Sequence, residues 1–158
     1  MDSQPSSRFP CTPVRRWSLD PSGCRLLLAL PDARFRGLRI DDARGWVRLN
    51  EDDLVGSELS ARLSIRDPLG VDPHTTREYV FEGTATRRGA DDEAVFEGRL
   101  RIGARVAAWS LAVIPTRCRH HGGTEYLDLD VRAPLPPELC GSSRVEGRLR
   151  ILRASPAA

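Results

Sequence analysis

The chain has 158 residues, of which 24 are basic and 22 acidic, leaving a formal net charge of +2. A length of this order fits one domain with an adequate core of its own and no need of metal or disulfide staples. The near balance of charge excludes a strongly basic surface for nucleic acid or anionic lipid. Every basic residue is arginine, read here as the mark of GC-rich, bacterial coding.

Residues Met1 to Pro13 are rich in Ser and Pro and read as a flexible leader, with the domain spanning 14–155. This stretch has no apolar run of the kind that opens a secretory signal, so a cytoplasmic protein is expected. Cys11, Cys24, Cys118 and Cys140 are scattered without a C-x-x-C pair. They are expected to be reduced thiols, with no zinc ribbon or redox motif. The longest apolar run, Leu26 to Pro31, is far below the roughly 20 residues a membrane helix needs, so no transmembrane segment is expected.

Trp17 and Leu19 precede Asp20-Pro21-Ser22-Gly23, a cluster of turn formers expected to reverse the chain, and Cys24 to Leu30 follows as a short buried strand. Phe35 to Ile40 and Trp46 to Leu49 read as the arms of a hairpin turning at Asp41 to Gly45. Glu58 to Arg66 alternates cleanly, with Leu59, Ala61, Leu63 and Ile65 on one face and Ser60, Arg62, Ser64 and Arg66 on the other. Asp67 to Arg77 is irregular. Tyr79, Phe81, Gly83 and Ala85 then share a strand face.

Ala94 to Val113 is the central hairpin, turning at Ile102-Gly103-Ala104-Arg105. Its first arm sets Phe96, Gly98, Leu100 and Ile102 against Glu97, Arg99 and Arg101. On its second arm Val106, Trp109, Leu111 and Val113 change parity at Ala107 and Ala108, which predicts a bulge. Cys118 to Gly123 reads as a loop, Tyr126 to Arg132 as a strand with Leu127, Leu129 and Val131 on one face, and Val145 to Leu152 as the last strand. No apolar stripe of helical period is present. About eight closely spaced strands with arginines and carboxylates on one face predict an all-β, single antiparallel eight-stranded closed barrel.

Several segments in this order resemble the YceI-like family. Trp17-Ser18-Leu19-Asp20 matches its opening pattern of aromatic, small, hydrophobic and Asp, and Ser64-Ile65 matches the Ser-Ile pair that ends its alternating strand. Phe81 stands where that family opens a strand with Phe. Gly98-Arg99-Leu100-Arg101-Ile102-Gly103 is similar to its G-x-L-T-I-x-G hairpin, and Leu129 to Leu135 to the strand carrying an Arg before a hydrophobic pair. The likeness runs from about Arg16 to Ala154. It departs at Pro31, where the family has His, and at Asp67 to Tyr79, where the family has a helical stretch. The resemblance implies a lipocalin-like barrel that binds polyisoprenoid lipids.

If the barrel closes, its inward residues make an aliphatic lumen suited to an isoprenoid or acyl chain. The candidates for that cavity are Leu28, Leu30, Phe35, Ile40, Leu63, Ile65, Phe81, Leu100, Ile102, Leu111, Val113 and Leu129. The function expected is non-enzymatic binding or carriage of an apolar lipid. The alternative is a barrel without ligand that acts as a protein-interaction module, through its arginine faces or the surroundings of Trp46 and Trp109, with a homodimer among the possible assemblies. No catalytic residue, cofactor or metal site is expected: no nucleophile arrangement is written, and His74, His120 and His121 fall in predicted loops. No nucleic-acid partner is expected, because acidic residues share the arginine faces and stacking aromatics are missing between them.

Overall fold

The computed structural model describes residues 14–30, 34–50, 52–66, 76–136 and 143–154, with side chains from residue 16 onward. The leader and residues 31–33, 67–75 and 137–142 lie outside the described residues, and with them Cys11, His74 and Cys140. Among the described residues there are ten strand segments: β1 (Val14–Leu19), β2 (Arg25–Ala29), β3 (Phe35–Gly37), β4 (Ile40–Asn50), β5 (Glu58–Arg66), β6 (Thr76–Arg88), β7 (Ala94–Ile102), β8 (Arg105–His121), β9 (Thr124–Pro134) and β10 (Arg144–Ala154). Helical structure among the described residues is confined to 3₁₀ turns at Pro21–Gly23 and Ala90–Asp92. No helix there is long and apolar enough to cross a membrane.

These segments form one antiparallel sheet in the order β1-β4-β5-β6-β7-β8-β9-β10-β2-β3, closed by β1 on β10. β1 and β2 lie end to end along β10, Leu19 opposite Ile151 and Arg25 opposite Arg148, so they are two halves of one stave. β3 and β4 likewise form one stave, β3 against β2 and β4 against β1. Counted this way, the barrel has eight staves, each hydrogen-bonded to its neighbours in chain order. The protein is an all-β closed barrel, as the alternation predicts.

Four local expectations need correcting. The Asp20 turn does not reverse the chain. Asp20 accepts a hydrogen bond from the Ser22 amide on Oδ1 at 3.2 Å, and its own amide donates to the Arg150 carbonyl at 2.8 Å. The 3₁₀ turn is thereby held as a jog within the first stave. Asp41 to Gly45 is not a turn either but the interior of β4, where a register shift between Ile40 and Asp42 switches the inward parity. Gly45 there takes φ +144, and a Cβ would collide with the Ser60 carbonyl of β5, so only glycine fits.

The predicted bulge at Ala107 and Ala108 is also absent. β7 and β8 pair without interruption from Ala94↔Val113 to Ile102↔Arg105, across a two-residue turn whose Gly103 has φ +61. Ala107, Leu111 and Val113 are buried while Val106 simply points outward, 54% exposed. The shift in β8 lies further on, between Pro115 and Arg117, and Cys118 to His121 continue the strand instead of forming a loop. Pro115 is tolerated because β7 ends opposite Val113, leaving β8 beyond that point with β9 as its only strand neighbour among the described residues.

Candidate functional site

Inward parity on the staves gathers a core in which the two ends of the barrel differ. At the end bearing the β4–β5 and β6–β7 connections, Trp17, Val47, Leu49, Phe96, Val113 and Ile151 are buried and fill the interior. Phe96 is 2% and Ile151 0% exposed, so this half is solid. Toward the end bearing the β7–β8 turn the packing opens into a cavity of about 80 Å³.

Every stave contributes to its wall. Leu26, Leu28 and Leu38 come from the first two staves and Leu59, Ala61, Leu63 and Ile65 from β5. Tyr79 and Phe81 of β6 and Leu100 of β7 form the side facing the first stave. Trp109 and Leu111 of β8, Val131 and Leu135, and Val145 and Leu149 of β10 complete it. Among the described residues of this wall, only Tyr79 and Trp109 carry a polar side-chain group. The indole donates to the Pro134 carbonyl, which removes its cost of burial. Leu38, Leu63, Tyr79 and Trp109 on this wall keep partial exposure.

Two glycines shape the space. Gly98 and Gly83 are cross-strand partners, and Trp109 lies opposite Gly98 on its other side. A Cβ on Gly98 would strike the Glu82 carbonyl of β6, so β6 and β7 approach here more closely than any side chain permits. The room beside Gly83 is taken by the Phe81 ring, which meets the Trp109 ring edge to face with centroids 5.2 Å apart.

Of the residues expected to line a lumen, Leu28, Leu63, Ile65, Phe81, Leu100 and Leu111 lie on the cavity wall. Ile102, Val113 and Leu129 are buried in the core away from it, and Leu30 and Ile40 pack partly buried against that core. Phe35 is displaced from the expected set: it is 57% exposed and pairs with Ala29 on the outer face. The switch of parity at Ile40 explains the misreading, since Leu38 and Ile40 point inward while Phe35 is of opposite parity. Missed were Leu26, Leu38, Leu59, Ala61, Tyr79, Trp109, Val131, Leu135, Val145 and Leu149. Most carried a signal: Leu59 and Ala61 share the face of Leu63, Tyr79 that of Phe81, and Val131 that of Leu129. Leu135, beyond the end of β9, carried none.

The outer surface is laced with ion pairs. There Arg150 donates to Asp128 at 2.8 Å and Arg132 to Glu93 at 2.6 Å, while on the inward parity at the solid end Arg153 donates to Glu125 at 2.6 Å. Hydrogen bonds from these guanidinium groups hold all three carboxyls below their usual range. Burial pushes the Cys24 thiol up, and Cys24 is a free thiol. Trp46, expected as a partner contact, lies under the Arg16 guanidinium at 4.6 Å. Trp109 faces the interior.

Fold and cavity together define a closed eight-stave barrel with one solid half and one hollow, apolar half. No protein-family model matches the chain, and no curated protein matches it.

Proposed function

We propose that the protein binds the end of a single slender hydrocarbon chain, acyl or isoprenoid, in the hollow half of its barrel. The observation that carries this reading is the cavity itself, walled by all eight staves with aliphatic and aromatic side chains. Its size limits the guest. A space of about 80 Å³ is well below the roughly 300–1,000 Å³ of sites that engulf a whole small molecule. At about 30 Å³ per water-sized group it takes about three methylene-sized groups. Each methylene buried contributes about 0.8 kcal/mol, so the inserted end supplies about 2–3 kcal/mol, and the rest of the molecule stays outside the wall. The resemblance to YceI-like proteins supports an isoprenoid end over a straight acyl one. Binding involves no covalent step.

The test pairs native mass spectrometry of freshly purified protein with quenching of tryptophan fluorescence by a bromine-labelled alkyl chain. Quenching that is lost in Trp109→Phe and in Leu100→Trp supports insertion. Quenching that survives both substitutions places the probe elsewhere and ends the proposal.

A second reading, a barrel that meets a protein partner, draws on Leu27 and Phe35. They are 44% and 57% exposed and lie on the same outer face of the β2–β3 hairpin. A concentration-dependent dimer by analytical ultracentrifugation that Phe35→Ser abolishes would favour it, with a second copy as the partner.

A further inference from the structure

The end of the β8–β9 hairpin lies outside the cavity wall. There Arg117 to His121 pair with Thr124 to Asp128. Glu125 and Leu127 share the parity of the buried Leu129 and Val131, so their cross-strand partners His120 and Cys118 project from the same face. Three different ligating groups converge as a result. Cys118 Sγ, His120 Nε2 and a Glu125 carboxylate oxygen all lie within 4.8 Å of one another. Glu125 Oε2 stands 3.5 Å from His120 Nε2 and 3.7 Å from Cys118 Sγ.

We infer that Cys118, His120 and Glu125 form a binding site for a borderline-soft divalent metal ion, with Zn²⁺ as the reference ion and water as the fourth ligand. The donor set of thiolate, imidazole and carboxylate is the one such ions select. The spacing fits as well. Bonds of about 2.0–2.3 Å in a tetrahedral arrangement separate ligand atoms by about 3.3–3.6 Å, so the two shorter separations need almost no adjustment. The remaining sulfur–nitrogen separation closes by side-chain rotation, since Cys118 and His120 are exposed.

The carboxylate is already oriented. Arg153 donates to Glu125 Oε1 at 2.6 Å, leaving Oε2 turned toward the other two ligands. Arg153 is itself fixed, its guanidinium 4.1 Å above the buried Trp17 ring. An outer partner that holds a ligand in this way raises the precision of a metal site. Exposure of Cys118 and His120 leaves an entry path and an open coordination position. Binding replaces the Cys118 thiol proton by the metal, and that proton is released to solvent.

The experiment titrates the reduced full chain with Zn²⁺ by calorimetry and with Co²⁺ by absorption. Expected are one equivalent bound, release of about one proton at neutral pH and a sulfur-to-cobalt charge-transfer band in the near ultraviolet. Cys118→Ser should remove that band. Cys118→Ser and His120→Ala should each weaken Zn²⁺ by about tenfold or more, with unfolding transitions close to that of the parent. A double variant, Cys11→Ser with Cys140→Ser, should bind as the parent does. The inference is overturned if no thiolate band forms, if the band persists in Cys118→Ser, or if it disappears in the double variant.

Discussion

Filling the hollow half should stabilise the protein, and the same change elsewhere in the core should not. Ala61 lies on the cavity wall between Gly45 of β4 and Phe81 of β6. Ala85 has the same inward parity on β6 but is 1% exposed in the solid half. A cavity of about 80 Å³ forgoes about 2 kcal/mol at about 24 cal/mol per Å³. Ala61→Leu adds three carbons to it, worth at most about 2.4 kcal/mol of burial, against about 0.5–1 kcal/mol of lost side-chain entropy. The expected gain is therefore at most about 1.4–1.9 kcal/mol, a rise in Tm of up to about 3–8 °C for a chain of this size. Ala85→Leu has no void to enter and should cost about 1–3 kcal/mol through displaced neighbours. Urea unfolding monitored by circular dichroism measures both, with an unchanged m-value showing that the comparison is one of stability. If Ala61→Leu loses as much as Ala85→Leu, the interior is packed alike at both ends and the cavity reasoning fails. Ala61→Leu should also remove any thermal shift caused by alkyl probes.

Other outcomes follow from particular contacts. Gly98→Ala should cost more than about 2 kcal/mol, because its Cβ would meet the Glu82 carbonyl. Gly37→Ala, with open space around it, should stay within about 0.5 kcal/mol by the same unfolding assay. Asp128 and Glu93 have carboxyl pKa values lowered by Arg150 and Arg132. Their contribution is present above the unfolded values of about 4 and is lost as pH falls through the lower folded values. Stability of Asp128→Asn measured from pH 7 downward should therefore start below that of the parent and converge with it in acid; parallel curves would contradict the assignment. Leu129→Ala, a residue 2% exposed and off the cavity wall, should cost about 3–5 kcal/mol. Leu100→Ala should fall toward 2 kcal/mol in the same assay, because one side of Leu100 already borders empty space.

The barrel was legible because alternation survives along most staves, and alternation in eight neighbouring antiparallel segments leaves few arrangements other than closure. What failed to show were the places where a stave breaks or changes parity. Asp20 to Gly23 has the composition of a reversal, yet backbone bonding to Arg150, remote in sequence, turns it into a jog. Asp41 and Asp42 read as loop residues, but on the outer wall Asp41 meets Arg39 at 3.7 Å and Arg66 at 3.3 Å, so charge there marks a wet strand face. The single-residue switch at Ile40 carried no local signature, and it reversed the facing of Phe35. Cys118 and His120 read as loop residues for a similar reason. Pro115 and the Gly122-Gly123 pair resemble the limits of a loop, whereas the strand runs through to His121 and only the glycines turn, at φ +57 and +80.

The hollow half follows from side-chain size and not from the barrel's geometry. An eight-stave barrel has an interior that side chains can just fill, and in one half Trp17, Phe96 and Ile151 do so. In the other, Gly98, Gly83 and Ala61 hold inward positions without a long side chain, and the Phe81 ring packs into the room beside Gly83, edge to face with Trp109. Part of that arrangement is forced, since Gly98 has no alternative beside the Glu82 carbonyl. Ala61 is not: its Cβ is already accommodated, and the space in front of it would accept a longer aliphatic chain. A void of this size at a position free to be filled costs about 2 kcal/mol, close to what about three inserted methylenes would return. That equivalence makes uptake of a hydrocarbon end and loss of uptake in Ala61→Leu two readings of one quantity, so a variant that gains stability yet binds alkyl probes unchanged would separate the cavity from the function proposed for it.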